Sequence, residues 1–396
     1  MRALVINSMF VNSVYRRCAD ELGAFPDIEL SIFMPNSWRM NGTRLALDPP
    51  KVESPYAMST GAAGWKGFEN RGFYASGLVK AFRQSQPEVL YLMEEPFSLF
   101  ALQTLLVRKL LFPKIPVVVF TWNNLSLKKF DYRPSIFYRT VAAWVLPQCD
   151  RAVTANADAI EVLRASGFQR PARMIGYGVD TEAFSKTDPT KALALRKQLD
   201  MRAEDRVIGF IGRIKWMKGI DLLVEAFAGL LKKGRKDVKL LIVGTGEYES
   251  ELRGLIERFA IGDYVRRVPS IPQTEVHEYM RLMDVLVLPS RREGMWAEQF
   301  GRVLIEAMAA RTLVVGSTSG AIPEVIGDAG FLFQENNSDD LASKLNDALQ
   351  MSPLERERLL ERAHKRATNE FSWRAFAERS REELIGAVND RREGRS

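Results

Sequence analysis

"RVIGFIGRIKWMKG", residues 206–219, passes from an apolar β-rich run into a glycine-bearing turn and then two cations. Residues 206–213 read as a buried strand, and the helical pattern "GIDLLVEAFAGLLKK" follows the turn. Gly209 and Gly212 permit a tight turn and close backbone approach. Arg213 and Lys218 place two positive charges near the start of that helix, where backbone N–H groups and the helix dipole already favour an anion. Arg213 can fork onto phosphate oxygens while Lys218 supplies a point charge, so the pair suits a diphosphate. Two basic residues in a solvated loop are the plainer alternative.

Outward from this stretch the alternation continues. "VKLLIVGTG" (238–246), "YVRRVPS" (264–270), "DVLVLPS" (284–290) and "TLVVGS" (312–317) read as strands, with "FGRVLIEAMAA" as a helix among them. The turn in "VGTGEYES" is explained equally well by sheet packing and by a ligand. An earlier series has the same form: "RALVIN" (2–7), "EVLYLM" (88–93), "PVVVFT" (116–121) and "RAVTAN" (151–156). Helical patterns "SVYRRCADELGAF", "GLVKAFRQSQ" and "ADAIEVLRASGF" separate them, the last closing at Gly167. Nearly continuous apolar strands alternating with helices predict parallel sheets covered on both faces. The expectation is α/β, with two Rossmann-like doubly wound domains facing each other across a cleft. "GYGVDTEAFSKTDPTKAL" (176–193) supplies the break between an N-terminal domain, 1–183, and a C-terminal domain, 190–370. Residues 371–396 form a last helix with a charged tail.

Bulk properties agree. A chain of 396 residues exceeds the usual size of one core. The two cysteines, Cys18 and Cys149, lie far apart and suggest a reducing compartment. The N-terminus is too quickly polar for a signal peptide. "SLFALQTLLVRKLLFP" (98–113) is shorter than a bilayer span and contains Arg108 and Lys109, so it reads as a core helix, with an interfacial helix as the alternative. Residues 1–180 hold 21 Lys+Arg against 15 Asp+Glu, which is +6 of the net +7. Such a half can attract anionic lipid or phosphate-bearing substrates, or merely aid solubility. No basic run interleaved with aromatics points to nucleic acid. His277 and His364 both sit in surface-like helical contexts.

"RREGMWAEQFGRVLIEAMA" (291–309) contains three glutamates. Glu298 precedes the helix expected from Phe300 to Ala310, and Glu306 lies two turns inside it. A helical pair eight residues apart is turned by roughly 80°, so the two would address different parts of an elongated ligand. Glu293 is assigned to the loop. "MEEPFSL" (93–99) brings Glu94 and Glu95 to a strand end, either toward an acceptor or in ordinary ion pairs. "STGAAGWKGFENRGFY" (59–74) is an acceptor-side flap or a plain long loop.

G-R-x4-K-G, then E-x7-E, then "EAMA…VVGSTSGAIPEVIG" resembles the retaining glycosyltransferases of the GT4 type, group 1, with the GT-B fold. The resemblance spans about 206–335 and is looser in the first domain. It implies that Gly212, Arg213 and Lys218 hold the donor diphosphate, and that Glu306 binds ribose. Glu298 would support the donor sugar, with the backbone of Phe300 and Gly301 beside it. The catalytic set is then Glu298, Arg213 and Lys218. No metal and no cofactor are implied, only a nucleoside diphosphate-sugar co-substrate, UDP or GDP undecided. The loop "VPSIPQ" (268–273) is expected near the base. "FSWRAFAERS" is similar to the helix that returns to the first domain.

The chain departs from the pattern in its first domain. Trp122, Asn123 and Asn124 stand where many relatives place a histidine, and "NSMFVNS" replaces a Gly-Gly loop. The implied function is transfer of a sugar to a sugar, lipid-linked or glycolipid acceptor in bacterial polysaccharide or glycolipid synthesis. The implied setting is cytoplasmic, with peripheral contact at the inner membrane face. The alternatives are a non-catalytic nucleotide-sugar-binding protein and a nucleotide-sugar epimerase of the same architecture.

Overall fold

The structure, a computed structural model, describes residues 1–40, 43–49, 53–64, 70–126, 135–186, 188–294 and 296–394. The chain divides into two compact units, Met1–Gly178 with Trp373–Ser396, and Val179–Ser372.

The first unit holds a seven-stranded parallel sheet of β1 (Arg2–Ile6), β2 (Glu29–Pro35), β3 (Ala57–Gly61), β4 (Val89–Leu92), β5 (Val117–Thr121), β6 (Arg151–Thr154) and β7 (Ala172–Met174). Its order is β7-β6-β5-β4-β1-β2-β3. The second unit holds β8 (Arg206–Ile211), β9 (Val238–Val243), β10 (Val265–Val268), β11 (Val285–Leu288), β12 (Leu313–Ser317) and β13 (Phe331–Phe333). Their order, β10-β9-β8-β11-β12-β13, is the 3-2-1-4-5-6 order of a dinucleotide-binding sheet. Every pair in both sheets is parallel. The two Rossmann-like sheets expected from the strand–helix alternation are therefore present.

Helices cover both faces because the central strands are buried throughout; all four residues of β4 and of β11 are inaccessible. Each such Val, Leu or Ile contributes about 1.5–3 kcal/mol through burial. Sequence order also reverses at one place in each sheet, between β1 and β4 and between β8 and β11. Loops leaving the carboxyl ends there splay apart and leave room for a ligand.

Some expected elements are shorter or built differently. The helix expected over 300–310 is Arg302–Ala309, because Gly301 adopts φ +75 and caps it. Residues 13–25 divide into a 3-10 turn, Ser13–Arg16, and the helix Arg17–Gly23. The break at 176–193 carries the helices Thr181–Ser185 and Pro189–Gln198. Asp180 and Asp188 cap them by accepting from Ala183 N–H and from Thr190 and Lys191 N–H, so its Asp and Pro residues are helix-start signals. The loop at 59–74 is in part a small antiparallel pair, Ala63–Gly64 with Phe73–Tyr74, and its residues 65–69 lie outside the described residues. Residues 98–113 do form a helix, Leu99–Leu111, and no described helix is long and apolar enough to cross a membrane.

The last helix, Trp373–Arg392, belongs to the first unit. Trp373, Phe376, Ala377 and Leu384 enter its core beside Val5, Tyr91 and Phe120. Arg151 ties it down through Glu383 at 2.9 Å and Asp390 at 2.7 Å. At the other chain crossing Val179 N–H donates to Phe371 O at 2.8 Å.

Candidate functional site

In the second unit the loops after β8 and β11 meet over a cavity of about 740 Å³. Gly212, Arg213, Lys218, Glu298, Gly301 and Glu306 all line it, together with Lys215, Gln273, Trp296 and Arg302. Six residues singled out in the sequence therefore share one concavity.

The loop after β8 is held by backbone contacts that leave no room for side chains. Gly212 N–H donates to Val243 O at 3.0 Å, and Ile214 N–H to Thr245 O at 3.0 Å. A Cβ on Gly244 would lie 1.9 Å from Gly212 O, and one on Gly246 would lie 2.1 Å from Ile214 O. The "GTG" turn therefore serves close packing beneath the cationic loop. Gly219, at φ +68, closes the loop against Pro289 O. The helix Ile220–Lys232 begins there.

Lys218 and Glu298 are joined. Lys218 Nζ donates to Glu298 Oε2 at 2.6 Å, and Ser290 Oγ donates to the same oxygen at 2.8 Å. The ammonium also lies 5.0 Å from the centre of the Trp296 ring. Glu298 is 8% exposed, and both of its side-chain donors reach the same oxygen on the wall of the cavity. The segment "GSTSGAIPE" fixes it from behind. Ala321 N–H donates to Glu298 O at 2.9 Å, and Gly320, at φ +54, approaches so closely that a Cβ would stand 2.3 Å from that oxygen. Arg213 is exposed, and its guanidinium has no hydrogen bond or ion pair among the described residues.

Glu306 is buried on the helix Arg302–Ala309. Burial raises its carboxyl above the usual carboxylate range, while Arg302 and Gln273 oppose the rise. Glu298 precedes the helix, so the helical angle expected between the two glutamates does not apply. Phe300 turns its ring against Phe371, centroids 5.8 Å apart. Glu293 pairs with Trp296 through backbone bonds of 3.0 and 2.8 Å in an exposed turn.

Some functional neighbours had no mark in the sequence. Arg291 is one, and it is only 6% exposed. It forms an ion pair with Asp221 and lies 4.4 Å from the centre of the Trp216 ring. Its N–H donates to Met217 O at 2.9 Å, so it carries the loop that presents Lys218. Arg302 was likewise silent, while Gln273 was marked only as the end of the loop expected near the base. His277 lies against Phe184, and His364 meets Ala309 O through Nδ1 at 3.1 Å; neither lines the cavity.

The first unit gathers its candidates at its own reversal point. Ser8, just after β1, donates from N–H and Oγ to the two oxygens of Glu94, just after β4; the Oγ distance is 3.1 Å. Burial pushes the Glu94 carboxyl up to about 8, against the lowering effect of Ser8. Glu95 accepts from Thr121 Oγ at 2.6 Å and from Trp122 N–H at 3.2 Å, and burial pushes it up to about 7. Asn123 spends its amide on Leu125, donating to Leu125 O at 2.9 Å and accepting from its N–H at 3.2 Å. Asn124 Oδ1 is enclosed without a donor among the described residues. A separate cavity of about 620 Å³, bordered by Ile136, Arg139, Thr140 and Val162, includes none of these groups. Among the described residues no group of three His, Cys, Asp or Glu could hold a metal ion.

Residues 192–366 match the family described as glycosyl transferases group 1. A D-inositol 3-phosphate glycosyltransferase of Mycobacteroides abscessus is 30% identical over 237 residues, 57% of this chain and 50% of the relative. A GDP-mannose-dependent monoacylated alpha-(1-6)-phosphatidylinositol monomannoside mannosyltransferase of Corynebacterium glutamicum is 32% identical over 206 residues, 51% of this chain and 53% of the relative. The chain thus spans about half the length of these curated relatives. The solved structure of Anabaena Alr3699/HepE in complex with UDP superposes with a TM-score of 0.73 at 17% identity, covering 98% of this chain and 100% of that one. The chain is therefore similar to the glycosyl transferases group 1 over residues 192–366, and its fold is the GT-B fold of two Rossmann-like domains.

Proposed function

We propose that the protein is a retaining, metal-independent glycosyltransferase that moves a sugar from a nucleoside diphosphate-sugar to a hydroxyl acceptor. The observation that carries this reading is the convergence of Arg213, Lys218, Glu298 and Glu306 on one cavity at the reversal point of the second sheet. Arg213 and Lys218 bind the diphosphate and stabilise the charge that grows as it departs. Glu306 accepts from the ribose hydroxyls. Glu298 accepts from sugar hydroxyls and supports positive charge at the anomeric carbon, while Gly212 and the Phe300–Gly301 backbone complete the donor side. The bond from the anomeric carbon to the diphosphate oxygen breaks, and the acceptor oxygen bonds to that carbon on the same face. The acceptor's proton passes to the departing diphosphate.

The C-terminal domain expected over 190–370 is the donor side and the N-terminal domain expected over 1–183 the acceptor side, with 371–396 returning to it. Trp122, Asn123, Asn124, Glu94 and Glu95 are assigned to the acceptor or sugar. The relatives named for inositol phosphate and phosphatidylinositol mannoside support a phosphate-bearing or lipid-linked acceptor in glycolipid or polysaccharide synthesis. GDP in one relative's name and UDP in a solved neighbour keep both bases in view. A cytoplasmic location, at the inner membrane face, fits such an acceptor. One observation favours a non-catalytic nucleotide-sugar binder instead: the Ser8 N–H, in the segment that replaces the Gly-Gly loop, is engaged by Glu94.

The test is binding and transfer with UDP-, GDP- and ADP-sugars. Stabilisation by a nucleoside diphosphate that is lost in Arg213→Met and Lys218→Met supports the donor site, and no stabilisation by any of them overturns it. Sugar transfer that disappears in Glu298→Gln, with donor binding kept, supports catalysis. Binding without turnover for every donor and acceptor selects the second reading.

A further inference from the structure

Glu306 lies on the wall of the cavity, 5% exposed, and an enclosed carboxylate requires donors. It has two. Arg302 Nε donates at 2.8 Å and Gln273 Nε2 at 3.0 Å, and both reach the same oxygen, Oε1. Oε2 has no donor among the described residues and is not sealed from the cavity that Glu306 lines. Gln273 comes from a different element, the turn Gln273–Glu275, 33 residues away in sequence.

Helix stability does not account for Arg302. An i,i+4 pair with the cation first is the weaker orientation, and Arg302 puts positive charge on the first turn, against the helix dipole.

We infer that Arg302 and Gln273 are positioning residues, which occupy one oxygen of Glu306 so that the other is presented, fixed in direction, to a hydroxyl of the bound nucleotide. This rests on the reading of Glu306 as the ribose acceptor and adds what that reading lacks, the cause of its orientation and charge. Without Arg302 only burial and Gln273 act on the carboxyl, and its proton affinity rises. The other charged groups around it are Arg213, Lys215, Lys218 and Glu298 in the cavity. The helices packed against Arg302–Ala309 carry further charged and titratable residues, among them Glu182, His277, Glu278, Glu324, Glu361, His364, Lys365 and Arg366. None of them hydrogen-bonds Glu306, and the charge that acts on it is Arg302. A protonated Glu306 is a poorer acceptor than a carboxylate, so loss of Arg302 weakens nucleotide binding more in acid than in alkali.

Calorimetry with UDP, GDP, their 2′-deoxy analogues and inorganic pyrophosphate tests this, at about pH 6 and about pH 9. Arg302→Met is expected to weaken the nucleoside diphosphate about tenfold at the lower pH, with most of the loss recovered at the higher. The preference for ribose over deoxyribose shrinks in parallel, pyrophosphate binding stays unchanged, and Arg302→Lys restores part of the loss. Gln273→Met gives a smaller effect in the same direction. Equal losses at both pH values, or an equal loss for pyrophosphate, would overturn the inference while leaving Glu306 as ribose ligand. Unchanged nucleotide binding in Glu306→Gln would remove that ribose reading, and this inference with it.

Discussion

Lys218 Nζ stands 2.6 Å from Glu298 Oε2 across 80 residues of sequence, and the pair joins the two loops that leave β8 and β11. The ammonium therefore sits between a carboxylate and the face of Trp296, on the lining of the cavity. On the proposed mechanism this pair spans the scissile bond, diphosphate on one side and sugar on the other. Glu298→Gln keeps the shape and an acceptor for Ser290 Oγ but removes the charge. Transfer is expected to fall by about 10²–10³, the size seen when one preorganised electrostatic group is lost. Donor affinity, followed by calorimetry, should move less than about tenfold. Unchanged turnover would remove Glu298 from the chemistry.

Gly320 sets the position of that carboxylate without touching it. Its φ of +54 and the 2.3 Å separation of a built Cβ from Glu298 O leave space for hydrogen only. Gly320→Ala should cost about 1–3 kcal/mol in a denaturant titration. It should also lower turnover beyond what the lost stability explains, because Glu298 must shift. A variant with wild-type stability and turnover would show that the segment 317–321 does not position the glutamate.

Legibility in the sequence followed burial. The strands β8, β9, β11 and β12 are continuous apolar runs because both faces are covered, and their ends could be read to within a few residues. β2 begins with exposed Glu29 and ends at Pro35, while β13 has three residues; neither has the length or uniformity that marks a core strand. Arg213, Lys218, Glu298 and Glu306 were visible as residue types at set spacings. Arg291, Arg302 and the bond from Gln273 to Glu306 were not, since a charge or amide in a polar stretch acquires its meaning only when a distant segment encloses it. Gly320 gave a partial signal: a glycine shortly before Pro323 marks a turn, but its close approach to Glu298 depends on the β12 loop folding back.

Arg291 and Asp221 test whether that enclosure matters. Their side chains are 7% and 15% exposed, and Trp216 covers the guanidinium. Asp221→Asn leaves a buried cation with one partner fewer, at a cost of about 3 kcal/mol. The Lys218 loop, bound to Arg291 through Met217 O, should loosen at the same time and weaken nucleoside diphosphate binding. Adding Arg291→Met to Asp221→Asn is expected to recover part of the stability, because no unpaired charge remains. Additive losses in thermal melts would mean that the two side chains act independently.

Glu94 makes the first unit sensitive to alkali. Its carboxyl is raised from an ordinary 4.5 to about 8, and that of Glu95 to about 7, in each case chiefly by burial. A group that binds its proton more tightly when folded stabilises the fold fully below its unfolded value. That contribution disappears as the pH climbs through the folded value. The wild-type chain should therefore lose stability between about pH 5 and about pH 9, by on the order of a few kcal/mol. Glu94→Gln is neutral throughout, can accept from Ser8 N–H, and can donate to Ser8 Oγ. It should flatten the upper part of the profile and melt several degrees above the wild type at the alkaline end. Equal slopes for the two proteins, recorded by thermal melting across this range, would mean that Glu94 is already ionised in the folded chain and that Ser8 outweighs burial.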